Sequence, residues 1–328
     1  MFKGSIVALV TPFKSDGQVD EAKLIELVEF QIKNGTNGLV PCGTTGETPT
    51  LSTAEHERVI EICIKAAKKR VPIIAGTGSN STEEAILLTK HAAAAGANGA
   101  LVVSPYYNKP TQRGLYLHFK TIAESVDIPI ILYNIPGRTA VNIEPTTMAQ
   151  LAKDCKNIVG VKEASGSLEQ MQMVRHLCPK DFILLSGDDA LTLPILSIGG
   201  VGVISVVGNL VPQDVSRMIE EFENGHLKKA REINEKLFPL VKAMFIETNP
   251  IPIKTAMEIV GLCSGDLRLP LCEMSDDNLA KLKKALSAYG LITLRRTSSS
   301  RTRLAQGDPE RSLRRGGGVV ERVKKGKK

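Results

Sequence analysis

The chain has 328 residues, 42% of them hydrophobic and 23% charged. This is globular composition with length for one large core or two smaller ones, and it excludes a wholly disordered protein. The net charge of +7 is no pointer to nucleic acid, because residues 293–328 hold twelve Lys/Arg against three Asp/Glu, a balance of +9 that leaves −2 for residues 1–292.

The first residues, Met1-Phe2-Lys3-Gly4-Ser5, run straight into a strand-like segment, "SIVALV" at 5–10. No run of about 18 apolar residues follows anywhere, so neither a signal peptide nor a membrane span is expected and a soluble, cytoplasmic protein is. "DEAKLIELVEFQIKNG" then places Leu24, Leu27, Val28, Gln31 and Ile32 on one stripe and stops at Gly35, the pattern of an amphipathic helix. "GLV" at 38–40 leads into "PCGTTGE", and "STAE" at 52–55 opens the next helix, placing His56 in its first turn. "VPIIAG" at 71–76 precedes "GTGSN", which fails the dinucleotide fingerprint because Ser81 stands at its third glycine. Ser81-Thr82-Glu83-Glu84 has the form of a capping box.

Five more apolar runs complete the series. "GALVVS" at 99–104 ends in "SPYYNKP", "IPIILY" at 128–133 in "YNIPGRT", and "IVGVK" at 158–162 in Lys162 and Glu163. "FILLSG" at 182–187 ends in "SGDD", and "VGVISVV" at 201–207 in "VVGN". Near-continuous apolar runs suit strands buried on both faces, with crossover helices between them. Eight β-α repeats of roughly thirty residues fit a (β/α)8 barrel better than an open doubly wound sheet. From Pro212 onward the pattern is helical only. The expected organisation is a barrel with the active site over residues 1–224, a small C-terminal helical domain over 225–292, and a basic, disordered tail over 293–328. Six cysteines without a C-x-x-C imply reduced, mostly buried thiols, and five histidines without a ligand spacing give no support for a metal site.

In a barrel of this kind the chemistry lies just past the strand ends. A lysine closing an apolar strand has its ammonium form disfavoured, which frees an amine to attack a carbonyl; the alternative is an ion pair with Asp188 or Glu163. Tyr133 is either a packing residue or a proton shuttle one strand away. Thr44 and Thr45, between glycines, are either donors to a carboxylate or a tight turn, and Arg138 is either a bidentate carboxylate clamp or a solvated side chain. Tyr106 and Tyr107, in a chain with 4% aromatic residues, suggest a subunit contact.

Together "GTTGE", "SPYYNKP", "YNIPGRT", "GVKEASG" and "LLSGDDAL" resemble, in order and spacing, the dihydrodipicolinate synthase family, pyruvate-dependent members of the N-acetylneuraminate lyase superfamily. The resemblance covers about residues 1–292. It implies that Lys162 forms an imine with pyruvate, with no other cofactor, and that Tyr133, Thr44 and Tyr107 relay protons, Tyr107 reaching in from a neighbouring subunit. It implies that Thr45 holds the pyruvate carboxylate, that Gly187 and Ile204 line the pocket through backbone groups, and that Arg138 receives the carboxylate of L-aspartate 4-semialdehyde. A homotetramer built as a dimer of dimers is implied, as is inhibition by L-lysine at an interface site of Thr48, Pro49, His56, Asn80, Glu84 and Tyr106, set apart from Lys162. Two features depart from the family: the tail, and Thr53 where some lysine-sensitive members have histidine. The competing readings are another Schiff-base pyruvate aldolase, for a 2-keto-sugar acid or 4-hydroxy-2-oxoglutarate, and a catalytically silent barrel whose tail binds RNA or a partner.

Overall fold

Both faces of every central strand are apolar, and the pleat divides them. In β4 (Gly99–Val103) Ala100 and Val102 face an outer layer while Leu101 and Val103 face an inner one, and in β5 (Ile130–Asn134) Ile130 and Leu132 face out while Ile131 and Tyr133 face in. A strand that buries both faces needs helices on one side and a closed interior on the other, which is the barrel solution. The computed structural model describes residues 2–293, so the expected disordered tail lies outside the described residues apart from Thr293.

Eight parallel strands form one sheet in the order β2-β1-β8-β7-β6-β5-β4-β3. The others are β1 (Gly4–Ala8), β2 (Gly38–Val40), β3 (Ile74–Gly76), β6 (Ile158–Glu163), β7 (Ile183–Ser186) and β8 (Gly202–Ser205). The two ends of that order meet through a single parallel bridge, Leu39 to Ile73, reinforced by Leu39 N–H on the Pro72 carbonyl at 3.0 Å and Gly76 N–H on the Pro41 carbonyl at 3.0 Å. The sheet is therefore a (β/α)8 barrel. Each of the eight apolar runs holds a strand, with bounds that coincide only in β2. The run at 201–207 stops at Ser205 because the N–H groups of Val206 and Val207 go to the Asp189 carboxylate instead of a ladder.

The first helix, Glu21–Lys33, starts where the Asp20 side chain accepts the Lys23 N–H at 3.0 Å. It buries Leu24, Leu27, Val28 and Gln31. The polar member of that stripe is satisfied, since Gln31 Nε2 donates to the Gly208 carbonyl at 2.9 Å and Thr36 Oγ1 donates to Gln31 Oε1 at 2.7 Å. After β8 come the helices Pro212–Glu223, Leu227–Ala243, Ile251–Ile259 and Asp276–Tyr289. They share one apolar core with β1 and the first two barrel helices, joined through residues such as Val7, Val215, Leu240, Met257 and Leu286. Five cysteines are buried and Cys272 is exposed, all of them free. Among the described residues no helix is long and apolar enough to cross a membrane.

One buried titratable group in this frame has a consequence for stability. The His118 ring packs edge-on against Phe119, with Nδ1 2.9 Å from Thr82 Oγ1 and Nε2 buried without a partner among the described residues. Burial pushes its pKa down from 6.5 to about 4. A histidine that resists protonation when folded gives stability that is complete above the unfolded pKa and is lost as pH falls toward the folded one. Chemical denaturation of the wild type and His118→Asn between pH 7.5 and 4 is expected to show a steeper fall in the wild type, by roughly 2–3 kcal/mol across that window at 1.36 kcal/mol per pKa unit. Parallel curves would mean that His118 titrates alike in both states.

Candidate active site

Lys162 lies on the inner face of β6, 5% exposed, with Tyr133 of β5 and Leu185 of β7 as its register partners. Its Nζ stands 4.1 Å from the centroid of the Tyr133 ring, a cation–π contact in place of a carboxylate. Among the described residues it has no ion pair and no hydrogen bond. Both anions that the sequence offered are engaged elsewhere. Glu163, fully buried, accepts from Asn134 Nδ2 at 3.1 Å, the Ser165 N–H at 2.8 Å and Gln170 Nε2 at 3.0 Å, while Asp188 Oδ1 accepts the Ala190 N–H at 2.9 Å. Gly187 passes close beside the lysine: a Cβ there would sit 3.2 Å from Lys162 Cε and 2.6 Å from the Ala164 Cβ, so only glycine lets this backbone approach. Ile204 of β8 is buried in the same inner layer.

The mouth above is a cavity of about 190 Å³ whose wall includes Thr44, Leu101, Val103, Tyr133 and Arg138. Among the described residues the Thr44 and Tyr133 hydroxyls have no hydrogen-bond partner, so both are available to a ligand. Thr45, 2% exposed, is held within the protein, its Oγ1 accepting from Asn249 Nδ2 at 3.0 Å. Arg138, on the short helix Pro136–Thr139, is exposed and donates through Nη2 to the Asn249 carbonyl at 3.0 Å. Tyr107 stands 90% exposed with left-handed backbone (φ 73) and no bond within its own chain among the described residues.

Thr48, Pro49 and Tyr106 of the expected effector set line the same cavity as Tyr133, a lining that does not include Lys162, Thr45, Gly187 or Ile204. His56 lies behind it, its Nε2 2.8 Å from the Gly76 carbonyl, and burial pushes its imidazole below the usual histidine range. The carbonyl of Asn80 accepts from Asn108 Nδ2 at 2.9 Å. Ser81 caps the helix Thr82–Ala95, but the Glu84 carboxylate takes the Ser79 hydroxyl instead of closing a box on Ser81. The box at Ser52–Glu55 is complete.

Sequence reasoning passed over Asn249. This residue, 6% exposed, joins Thr45 to Arg138, and its Oδ1 is buried without a partner among the described residues. Asparagine before proline reads as a turn, and the one signal that distinguishes it is its contact with Thr45 and Arg138, 204 and 111 residues earlier.

The model of the Dihydrodipicolinate synthetase family matches residues 1–289. The chain belongs to that family. Over 292 residues, 89% of this chain and all of the relative, it is 61% identical to the 4-hydroxy-tetrahydrodipicolinate synthase of Endomicrobium trichonymphae. The crystal structure of dihydrodipicolinate synthase from Aquifex aeolicus is similar at a TM-score of 0.87 and 53% identity, covering 88% of this chain and 99% of that one. Two further solved members, each with a TM-score of 0.87 and 89% of this chain covered, carry ligands. The Acinetobacter baumannii enzyme, 45% identical and covered in full, is complexed with pyruvate, and the Cyanidioschyzon merolae enzyme, 44% identical and 99% covered, has lysine bound.

Proposed function

We propose that the protein condenses pyruvate with L-aspartate 4-semialdehyde to give 4-hydroxy-tetrahydrodipicolinate, the committed step toward diaminopimelate and lysine, through an imine on Lys162. The observation that carries the chemistry is the unpaired Lys162 beside the Tyr133 ring in an apolar barrel. Family membership with relatives of that activity, matched over their whole length, carries the choice of substrates.

The neutral amine of Lys162 attacks C2 of pyruvate, and loss of water leaves the imine. A proton leaves the methyl carbon, the resulting enamine carbon attacks the aldehyde, and the amino group of the adduct displaces Lys162 as the ring closes. In this reading the Thr44 and Tyr133 hydroxyls carry the protons and Thr45 with the Gly187 and Ile204 backbone seats the pyruvate. Arg138 takes the semialdehyde carboxylate, and Lys162 is the only covalent group required. In this reading the catalytic barrel ends at residue 224, and the helices of residues 225–292 form a small C-terminal domain that shares an apolar core with it. A second copy completes the site with Tyr107, in a dimer of dimers, and L-lysine acts as effector through Thr48, Pro49, His56, Asn80, Glu84 and Tyr106.

Borohydride treatment in pyruvate is expected to leave a reduced adduct on Lys162, lost in Lys162→Ala; an adduct on another lysine overturns the assignment. Arg138→Ala is expected to keep the adduct while the kcat/KM for aspartate semialdehyde falls at least a hundredfold, and equal loss of both would make Arg138 structural. In sedimentation the wild type is expected as a tetramer, with Tyr107→Phe assembled yet slowed at least tenfold; a fully active monomer refutes a shared site. Millimolar lysine is expected to inhibit the wild type in part and Glu84→Thr less, and identical curves would remove Glu84 from the effector site.

A further inference from the structure

A second lysine is buried more deeply than Lys162. Lys254, on the helix Ile251–Ile259, is 0% exposed; its Nζ lies 2.6 Å from Glu47 Oε1, 3.1 Å from the Thr11 carbonyl and 4.1 Å from the centroid of the Phe13 ring. The other carboxylate oxygen, Glu47 Oε2, accepts the Arg268 N–H at 3.1 Å. Neither residue has a part in the chemistry drawn above, yet both lie directly beneath it.

Glu47 ends the turn Thr44–Gly46, its N–H donating to the Thr44 carbonyl at 3.2 Å, and its backbone is left-handed at φ 54, ψ 34. Glycine takes that conformation without strain, whereas the glutamate here bears the strain and its side chain reaches a buried ammonium. The ammonium it reaches grips the turn by two routes. One is the carboxylate itself. The other runs through Thr11, whose carbonyl accepts from Lys254 while its hydroxyl donates to the Gly46 carbonyl at 2.7 Å. The same stretch of chain supplies Asn249, which donates to Thr45 Oγ1 at 3.0 Å. Residues 249–254 thus hold the threonine turn at its middle and at its end, from a segment beyond the eighth strand.

We infer that Glu47 and Lys254 are positioning residues for the pyruvate seat: their buried ion pair fixes the Thr44–Gly46 turn from behind, so that Thr45 meets the pyruvate carboxylate. The inference rests on the proposed reaction and adds a residue pair to it. Arg138 stands on its own short helix and meets this segment through the Asn249 carbonyl at 3.0 Å, with no bond to Glu47 or Lys254 among the described residues, so loss of the ion pair spares the semialdehyde end.

The test compares wild type, Glu47→Gln, Lys254→Met and the double variant by thermal midpoint, by KM for each substrate and by borohydride trapping. Each single variant strands a buried charge and is expected to lose thermal stability, and the double variant, with no charge left to strand, to regain most of it. Pyruvate KM in the double variant is nevertheless expected to stay at least tenfold raised, with the semialdehyde KM within threefold of wild type. A stable double variant whose pyruvate KM lies within twofold of wild type overturns the inference, as does an equal rise in both KM values. Should the double variant not fold, Glu47→Asp and Lys254→Arg decide. They keep both charges but change the reach, and a rise in pyruvate KM of at least threefold in each is expected, an unchanged value in both being the refutation. Failure of the wild type to trap pyruvate on Lys162 would strike the proposed reaction instead of the pair.

Discussion

Along β6 the pleat sends Lys162 into the barrel and its neighbour Glu163 into the layer between sheet and helices, where Asn134, Ser165 and Gln170 consume its oxygens. Adjacent residues on a strand cannot meet across it. A lysine and a glutamate side by side in sequence are therefore kept from neutralising one another by geometry alone, and the amine is left facing an aromatic ring. The arrangement carries a standing cost, since a buried ammonium without a carboxylate loses several kcal/mol of hydration. Leu185 and Ile204 belong to the same apolar inner layer, and the Gly187 backbone passes close beside the amine's stem.

Two buried lysines, treated differently, show what this arrangement selects. Lys254 has an anion at 2.6 Å, a carbonyl at 3.1 Å and a ring at 4.1 Å, so its charge is matched and its position fixed. Removing one member of such a pair costs about 3–5 kcal/mol, because the other charge is left behind in the interior. Lys162 has the ring alone. The first is the mark of a structural cation and the second of a group whose partner arrives from outside.

The strands were legible because both of their faces are apolar, a pattern that needs no knowledge of partners. Lys162 was legible for the same reason, as a polar residue ending such a run. Strand ends were blurred where side chains compete for backbone N–H groups, as Asp189 does beyond Ser205. The roles of Asn249, Lys254 and Glu47 were not legible, since their bonds span more than two hundred positions and a helix reading of "IPIKTAMEIVG" treats its lysine as an ordinary polar residue. Yet Ile253, Ala256 and Met257 are all buried beside Lys254. The criterion that singled out Lys162, a lysine amid apolar neighbours, applies to this helix as well.

The seam between β2 and β3 bears on how the barrel deforms. Elsewhere neighbouring strands share ladders of two to five register pairs, but here one bridge and two N–H bonds do the joining, and Pro41 and Pro72 at its ends have no N–H to add. The cylinder is closed by a clasp instead of a weld. Because the turn bearing Thr44 leaves one side of that clasp and the loop leading to Asn80 and Glu84 leaves the other, the most compliant line in the wall runs between them. Strain applied at either loop meets the fewest backbone bonds along that line.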